Sequence, residues 1–325
     1  MTVKSEVLKA LIENKGKSVS GEEIADRLGV SRTAVWKAVK SLQESNYTIE
    51  AVTNKGYMMP GDTDIISAEA VRSMTDFDIP VYYFESVAST NEKAKELAGT
   101  EDRAVVIANE QTQGKGRLGR TFVSPAGSGL YMSIIIKPDF DISKSVLITT
   151  AASVAVVRAL EKLYGLAPEI KWVNDIYLGG RKITGILTEA VMDFESGQIG
   201  SIVVGIGVNC FESDSPKAAA DSYGFIGGSV SRAAIAAQII NEFIPVVDNI
   251  EDRSFIEDYR SHSMVIGKRI LVYKAGMLGK PGAKPLHAEA EGIDEDGGLI
   301  IKHPDENGNT VLETITSGEV SIRLE

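Results

Sequence analysis

Apolar positions in the first sixty residues recur at helical spacing. Val3, Val7, Ala10 and Leu11 form one stripe across residues 3–13. Ser20-Gly21-Glu22-Glu23 fits a capping box ahead of a short helix that turns Ile24, Ala25 and Leu28 inward, and Gly29 ends it. Ser31 suits the N-cap of a third helix with two faces. Val35, Ala38, Val39 and Leu42 are apolar, and Arg32, Thr33, Trp36, Lys37 and Lys40 lie opposite. Ile49 to Met59 then alternates like a hairpin that turns at Thr53-Asn54-Lys55-Gly56. Two short helices, a tight glycine turn and a hairpin predict a winged helix-turn-helix over residues 1–62. Its exposed face would set Ser31, Arg32, Thr33, Trp36, Lys37 and Lys40 near base edges or phosphates, with Lys55 on the wing. The other reading is a three-helix interaction module with a solvated basic face.

Pro60-Gly61-Asp62-Thr63-Asp64 breaks both periods and marks a boundary. From Val81 the period changes to strands between helices. Strands are predicted at Val81–Glu85, Val105–Asn109, Leu130–Lys137, Ile170–Val173, Ile176–Leu178, Lys182–Glu189 and Ser201–Val208. Ser89 suits the N-cap of a helix, Val146–Leu163 is a long Ala/Val-rich helix, and Arg232–Phe243 and Ser254–Ser261 are helices. This is an α+β unit over 63–264 with a mainly antiparallel sheet, not a regular βαβ repeat. Five short strands, Ile270–Tyr273, His287–Ile293, Leu299–Ile301, Val311–Thr316 and Glu319–Leu324, predict a small β barrel over 265–325, punctuated by Gly276, Gly279, Gly282, Gly297-Gly298 and Gly308.

The 325 residues carry 34 Lys and Arg against 45 Asp and Glu, a net charge of −11, which argues against coating nucleic acid or membrane through bulk charge. Residues 1–60 differ, with nine basic against seven acidic residues, so only this part suits DNA. One cysteine, Cys210, permits no internal disulfide, and the scattered His262, His287 and His303 do not suggest a zinc site or a histidine-based triad. No apolar run reaches membrane-spanning length and no signal peptide opens the chain, so a cytoplasmic protein is expected.

One segment stands apart. Gly114-Lys115-Gly116-Arg117-Leu118-Gly119-Arg120 sets three cations among three glycines, and no Asp or Glu occurs from Gln111 to Pro138. Such a loop suits phosphate or carboxylate oxygens. It satisfies G-x-G-x-x-G after a strand, but Pro125 and Gly127-Ser128-Gly129 follow instead of a helix, so the dinucleotide reading fails. The Walker A pattern is absent. Lys171-Trp172-Val173-Asn174-Asp175 leads into a hairpin turning at Gly179-Gly180, which sets Lys182 opposite Tyr177 and on one face with Asp175. Lys182 reads either as a site cation or as a lysine snorkelling from a strand edge. Gly205-Ile206-Gly207-Val208-Asn209 ends a buried strand in a polar amide, which also suits a turn.

Taken together, these motifs resemble those of the biotin–protein ligases. Ser89-Thr90-Asn91, Gln113-Gly114 through Arg120 with Ser124-Pro125, Lys171 to Asp175, Arg181-Lys182 and Gly205 to Asn209 follow in the family's order along essentially the whole chain. The helix-turn-helix in front is similar to that of the bifunctional members, which also repress biotin genes. The resemblance implies a ligase domain of the class II synthetase type with a C-terminal SH3-like domain. It implies that biotin and ATP with Mg²⁺ are co-substrates, that no cofactor is tightly bound, and that biotin is joined through biotinyl-5′-AMP to a lysine of the biotin carboxyl carrier protein of acetyl-CoA carboxylase. Operator DNA and a ligand-induced homodimer are the implied partners. Residue by residue, it implies biotin contacts from Ser89, Thr90, Asn91, Gln111, Lys115, Gly116, Arg117, Lys182 and Gly185. It implies adenylate contacts from Arg117, Arg120, Phe122, Asn174, Lys182 and Asn209, with Lys182 and Arg117 catalytic and Asp175 holding Mg²⁺. Phe122 stands where the family usually has Trp, and Val173 where it commonly has Pro. A ligand sensor without catalysis, or a relative that transfers lipoate or octanoate, are the competing readings.

Overall fold

The computed structural model describes residues 2–44, 47–53, 55–60, 64, 66–137, 145–192, 199–213, 223–273, 277, 280, 282, 284–317 and 319–322. The turn residue Asn54, the boundary residues Gly61, Asp62 and Thr63, Gly276 and Gly279, and the end of the last strand at Arg323 and Leu324 lie outside them.

Helices α1 (Val3–Glu13), α2 (Gly21–Leu28) and α3 (Arg32–Glu44) form as the periodicity predicts, closing on Val7, Leu8, Leu11, Ile24, Val35 and Leu42. Gly29 caps α2 in the left-handed conformation at φ 65°, which a side chain disfavours. The capping box is elsewhere than expected. Ser20 accepts only from the Glu22 N–H, whereas the reciprocal pair joins Thr2 and Ser5 at α1. The predicted hairpin, β2 (Glu50–Val52) and β3 (Gly56–Met58), acquires a third strand, β1 (Ser18–Val19), in the order β1-β3-β2.

A short helix not predicted from the pattern, α4 (Ala68–Met74), packs between α1 and the central unit. The central sheet runs β4-β5-β6-β10-β9-β8-β7, from β4 (Val81–Val87), β5 (Arg103–Gln111), β6 (Gly129–Ile136), β7 (Glu169–Lys171), β8 (Asp175–Leu178), β9 (Arg181–Met192) and β10 (Ile199–Asn209). Only β4 and β5 pair in parallel, so the mainly antiparallel expectation holds among the described strands. Alternation along β5 divides its side chains between the faces. Ala104 and Val106 pack with Ala94 of α5 (Thr90–Leu97), and Val105 and Ile107 join the larger core under α6 (Ser145–Tyr164) and α7 (Arg232–Asp248). Each fully buried Val or Ile among them contributes about 1.5–3 kcal/mol. Helix α7 runs past the predicted end at Phe243 and through Pro245 to Asp248. Helix α8 (Phe255–Ser261) packs on α6.

The C-terminal strands β11 (Arg269–Tyr273), β12 (Leu286–Ile293), β13 (Leu299–Pro304), β14 (Thr310–Ile315) and β15 (Glu319–Ile322) form an antiparallel sheet ordered β14-β13-β12-β11-β15. All five predicted strands are present, but no β14–β15 pairing closes a barrel among the described residues. The sheet is tied to the central unit where the Trp172 indole N–H donates to the Gly297 carbonyl at 3.0 Å. No described helix is long and apolar enough to cross a membrane.

Candidate active site

The cationic loop is a folded-back excursion between β5 and β6. Gln111 pairs with Ser124 across its base, and Lys115 with Thr121 nearer its tip. A Cβ at Gly114 would lie 2.3 Å from the Phe122 carbonyl oxygen, so only glycine lets the two limbs approach this closely. The tip is a single 3-10 turn at Arg117–Gly119, and no α-helix follows it before β6, in keeping with the rejected dinucleotide reading. The base is held by Tyr131, whose hydroxyl donates to the Pro125 carbonyl at 3.0 Å.

Beneath the loop lies a cavity of about 380 Å³. Ser89, Thr90, Asn91, Gln111, Lys115, Gly116, Arg117, Arg120, Phe122, Asn174, Asp175, Lys182 and Gly185 all line it. One corner is neutral and polar. Ser89, Thr90 and Asn91 are buried there at the start of α5. Ser89 occupies the cap position, but its hydroxyl makes no capping bond. The Gln111 carboxamide oxygen accepts from the next residue, taking the Thr90 N–H at 2.8 Å. Without a capping bond Ser89 is free of the structural task expected of it.

The other side is charged. Lys182 lies opposite Tyr177 as predicted, and its ammonium meets Asp175 Oδ1 at 2.7 Å. Arg117 donates to Asn174 Oδ1 at 2.9 Å, and Lys115 reaches Glu92 at 2.7 Å. Hydrogen bonds from Lys115, then Lys95, hold the Glu92 carboxyl below its usual range. Burial, then the Asp175 charge, pushes the Tyr177 phenol up to about 12. Between the two sides the Phe122 ring lies against glycine backbone. A Cβ at Gly207 would stand 2.4 Å from Phe122 Cε1, and one at Gly185 3.1 Å from Cε2. The ring also meets Tyr131 edge-on, at 6.5 Å between centroids.

Asn209 is the one predicted contact of this cavity that does not line it. It is buried at the end of β10, where Nδ2 donates to the Gly224 carbonyl at 3.0 Å and Oδ1 is unpartnered. Asp175 stands without a cluster of metal-ligating groups; among the described residues no three His, Cys, Asp or Glu side chains converge. Lining residues absent from the sequence prediction include Met132, Tyr177, Leu187 and Val320. The predicted register already places Tyr177 beside Lys182, but no local signal brings Val320 of β15 to this wall.

The exposed face of α3 is also as predicted. Ser31, Arg32, Thr33, Trp36, Lys37 and Lys40 are exposed, as is Lys55 on the wing. Ser31 also accepts from the Ala34 N–H at 3.2 Å, as a cap. Trp36 remains 48% exposed with Lys40 Nζ 5.2 Å from its ring, so the indole is spent on no core.

Known proteins match over the same regions. The Biotin/lipoate A/B protein ligase family matches residues 83–209, an HTH domain residues 4–58, and the Biotin protein ligase C terminal domain residues 278–323. The Bifunctional ligase/repressor BirA of Bacillus subtilis is 32% identical over 317 residues, covering 93% of this chain and 94% of that protein. Its Escherichia coli namesake is 26% identical, covering 97% and 95%. A biotin protein ligase from Aquifex aeolicus, solved with biotin and ATP, superposes with a TM-score of 0.62 at 26% identity, covering 77% of this chain and 100% of that one.

Proposed function

Because the chain belongs to the biotin protein ligases, within their bifunctional ligase/repressor group, we propose that it activates biotin with ATP and transfers it to a lysine of a biotin carboxyl carrier protein. One observation carries the assignment of roles. A single cavity joins a buried neutral corner, suited to an uncharged ring, to a wall of cations under a glycine-hinged loop. Ser89, Thr90, Asn91 and Gln111 would receive the biotin ring, and its carboxylate would extend toward Lys182. That carboxylate attacks the α-phosphorus of ATP, forming the mixed anhydride and releasing pyrophosphate. The acceptor lysine amine then attacks the acyl carbon and AMP leaves. No covalent enzyme nucleophile is needed. The demand is for charge neutralisation, alignment and exclusion of water. Lys182 supplies a donor to the reacting oxygens, and Lys115, Gly116, Arg117 and Arg120 close over them. Phe122, Asn174 and Asn209 would meet the adenosine part. Asp175 is a lone carboxylate on the wall, which suits a Mg²⁺ ion whose remaining ligands are phosphate oxygens and water; bound there, the ion would neutralise phosphate charge.

The N-terminal unit supports a second role of the same chain, repression of biotin genes. With biotinyl-5′-AMP retained, the loaded enzyme would dimerise and place two α3 helices on a palindromic operator. Carrier protein and operator are both met in the cytoplasm, where the protein would work. Labelled biotin, ATP, Mg²⁺ and a carrier domain test the first role. Label on the carrier lysine is expected, whereas incorporation of lipoate but not biotin, or no pyrophosphate release, refutes it. Operator affinity measured with and without biotin plus ATP tests the second, and indifference to both ligands refutes it.

A further inference from the structure

Behind the neutral corner, Lys95, Glu189 and Ser133, which none of these steps uses, join Asn91, Thr90 and Gln111 in one chain of polar side chains. Lys95 of α5 donates to Glu189 Oε1 of β9 at 2.8 Å. Glu189 Oε2 accepts from Asn91 Nδ2 at 2.7 Å, and the Leu187 carbonyl accepts from the same nitrogen at 3.2 Å. Asn91 Oδ1 therefore faces inward, where Ser133 Oγ lies 2.6 Å away. The Ser133 and Thr90 hydroxyls are 2.8 Å apart, and Thr90 Oγ1 is 3.0 Å from Gln111 Oε1. Asn91 fits only because residue 205 is glycine, for a Cβ there would stand 2.1 Å from Asn91 Oδ1.

Hydrogen counting fixes the direction of this chain. Two hydroxyl protons serve three contacts: Ser133 with Asn91, Ser133 with Thr90, and Thr90 with Gln111. A carboxylate and a carbonyl accept only, so Glu189 and Leu187 between them claim the Asn91 amide hydrogens and leave Asn91 Oδ1 as a buried acceptor. An unmade bond to a buried acceptor costs about 1–3 kcal/mol, so the Ser133 proton goes to Asn91. The Thr90 proton is then left for Ser133 or Gln111, and is held within the chain. In either arrangement no proton points at Thr90 Oγ1, and the threonine offers the cavity an acceptor.

We infer that Glu189 is a positioning residue that sets the proton polarity of Thr90, through Asn91 and Ser133, and thereby selects a ligand ring carrying N–H donors. Building on the ligase reading, this makes Glu189 a determinant for a cyclic urea over a dithiolane or a plain alkyl chain, neither of which has a donor. A site built to bond a polar group discriminates strongly against analogues that lack it.

The test uses the full-length chain and Glu189→Gln. Lys95 holds the carboxamide oxygen of the new side chain, which turns its NH₂ toward Asn91. Asn91 then flips at the expense of its bond to the Leu187 carbonyl, Ser133 accepts from it, and the Ser133 proton turns onto Thr90, where it takes up one of the two lone pairs of Oγ1. Biotin half-saturation in pyrophosphate release should rise about tenfold, while that for ATP at saturating biotin changes less than about threefold. Adding Lys95→Met removes the cation that orients the carboxamide, so the double variant should recover most of the lost biotin affinity. A merely structural role predicts the reverse, since a second lost partner would make matters worse. An E189Q variant within about twofold of the unsubstituted chain, or a double variant no better than E189Q, overturns the inference. Neutron diffraction from the unsubstituted, deuterated protein needs no variant to fold, and a Thr90 deuteron directed into the cavity would overturn it equally. Failure of the unsubstituted chain to release pyrophosphate with biotin and ATP refutes the ligase reading itself; a responsive chain with an indifferent E189Q refutes only the role of Glu189.

Discussion

Lys182→Met separates chemistry from stability at the charged wall. The substitution keeps most of the stem and removes the ammonium. In the ligand-free protein Nζ meets Asp175 Oδ1 at 2.7 Å, with the two side chains 33% and 24% exposed. A pair this open to water contributes little, and the abandoned carboxylate can hydrate, so the fold should lose less than about 1 kcal/mol. The transition state is another matter. There a carboxylate and an α-phosphate crowd together in a shielded cavity, and loss of one aligned donor costs about 2–4 kcal/mol. That converts to a fall of roughly 30- to 900-fold in turnover. Biotin-dependent exchange of pyrophosphate into ATP reads the first half-reaction, and supplied biotinyl-5′-AMP with carrier domain reads the second. Thermal melting of the same preparation confirms that the fold is intact. A turnover within about threefold of the unsubstituted chain, less than 1 kcal/mol, would remove Lys182 from the reaction.

Four other outcomes follow from particular contacts. Gly205→Ala pushes a Cβ to 2.1 Å from Asn91 Oδ1, so biotin half-saturation should rise at least about tenfold, with an overpacking cost of about 1–3 kcal/mol in denaturant melts; normal biotin affinity would contradict the placement of Asn91. Trp36→Ala touches no core, so stability should stay within about 0.5 kcal/mol and pyrophosphate release should be unchanged, while retention on operator DNA falls; equal retention would exclude the indole from the DNA contact. Asp64→Ala strands the Arg232 guanidinium, 7% exposed between α7 and the Gly129 carbonyl, and should cost about 3–5 kcal/mol in chemical denaturation; a loss below about 1 kcal/mol would show that Asn109 and Gly129 suffice as partners. Partial burial draws His262 down, but its bonds to the Asp258 carbonyl and the Glu161 carboxylate prevail and raise it above its ordinary 6.5. The stability it contributes is therefore complete below about pH 6.5 and lost as pH rises through the folded-state value, so His262→Gln should flatten that limb of the pH–stability curve, and an unchanged limb would contradict the assignment.

The parts of the site legible in the sequence are those written in local chemistry. The cationic loop declares itself because glycine and Arg/Lys cluster where acids are missing, and Lys182 meets Asp175 because a two-residue turn fixes the register of β8 against β9. The α3 face is equally legible from its period. What stayed hidden depends on pairing between distant segments. Ser133 and Glu189 read as ordinary strand residues, and acquire their partners only when β6 and β9 flank β10 and α5 lies across them. Val320 is 113 residues beyond Gly207, the next lining position in the chain, so docking of the C-terminal unit alone reveals it. Seven residues of α4 span too few turns for their period to stand out, and Ser89 holds the cap position the sequence predicts without the side-chain bond, which residue type alone does not show.

The charged wall is neutralised from within before any ligand arrives. Lys115 rests on Glu92 and Lys182 on Asp175, so an incoming phosphate or carboxylate exchanges one anion for another and does not meet bare cations. Each pair is open enough to water to be worth about 0–1 kcal/mol, which makes the exchange nearly neutral in energy at either lysine alone. Selectivity and closure then rest on what the exchange permits. Lys115 belongs to the loop and Glu92 to α5, the helix that begins at the neutral corner, so releasing Lys115 removes one tie between the loop and that corner. A ligand that fills only the neutral corner leaves both lysines paired. One that also presents negative charge to the wall displaces the carboxylates and offers the loop new partners. On the proposed reading, occupancy of both halves of the cavity would be the condition under which closure gains free energy, which would tie the shielding of the activated acyl group to the presence of both reactants.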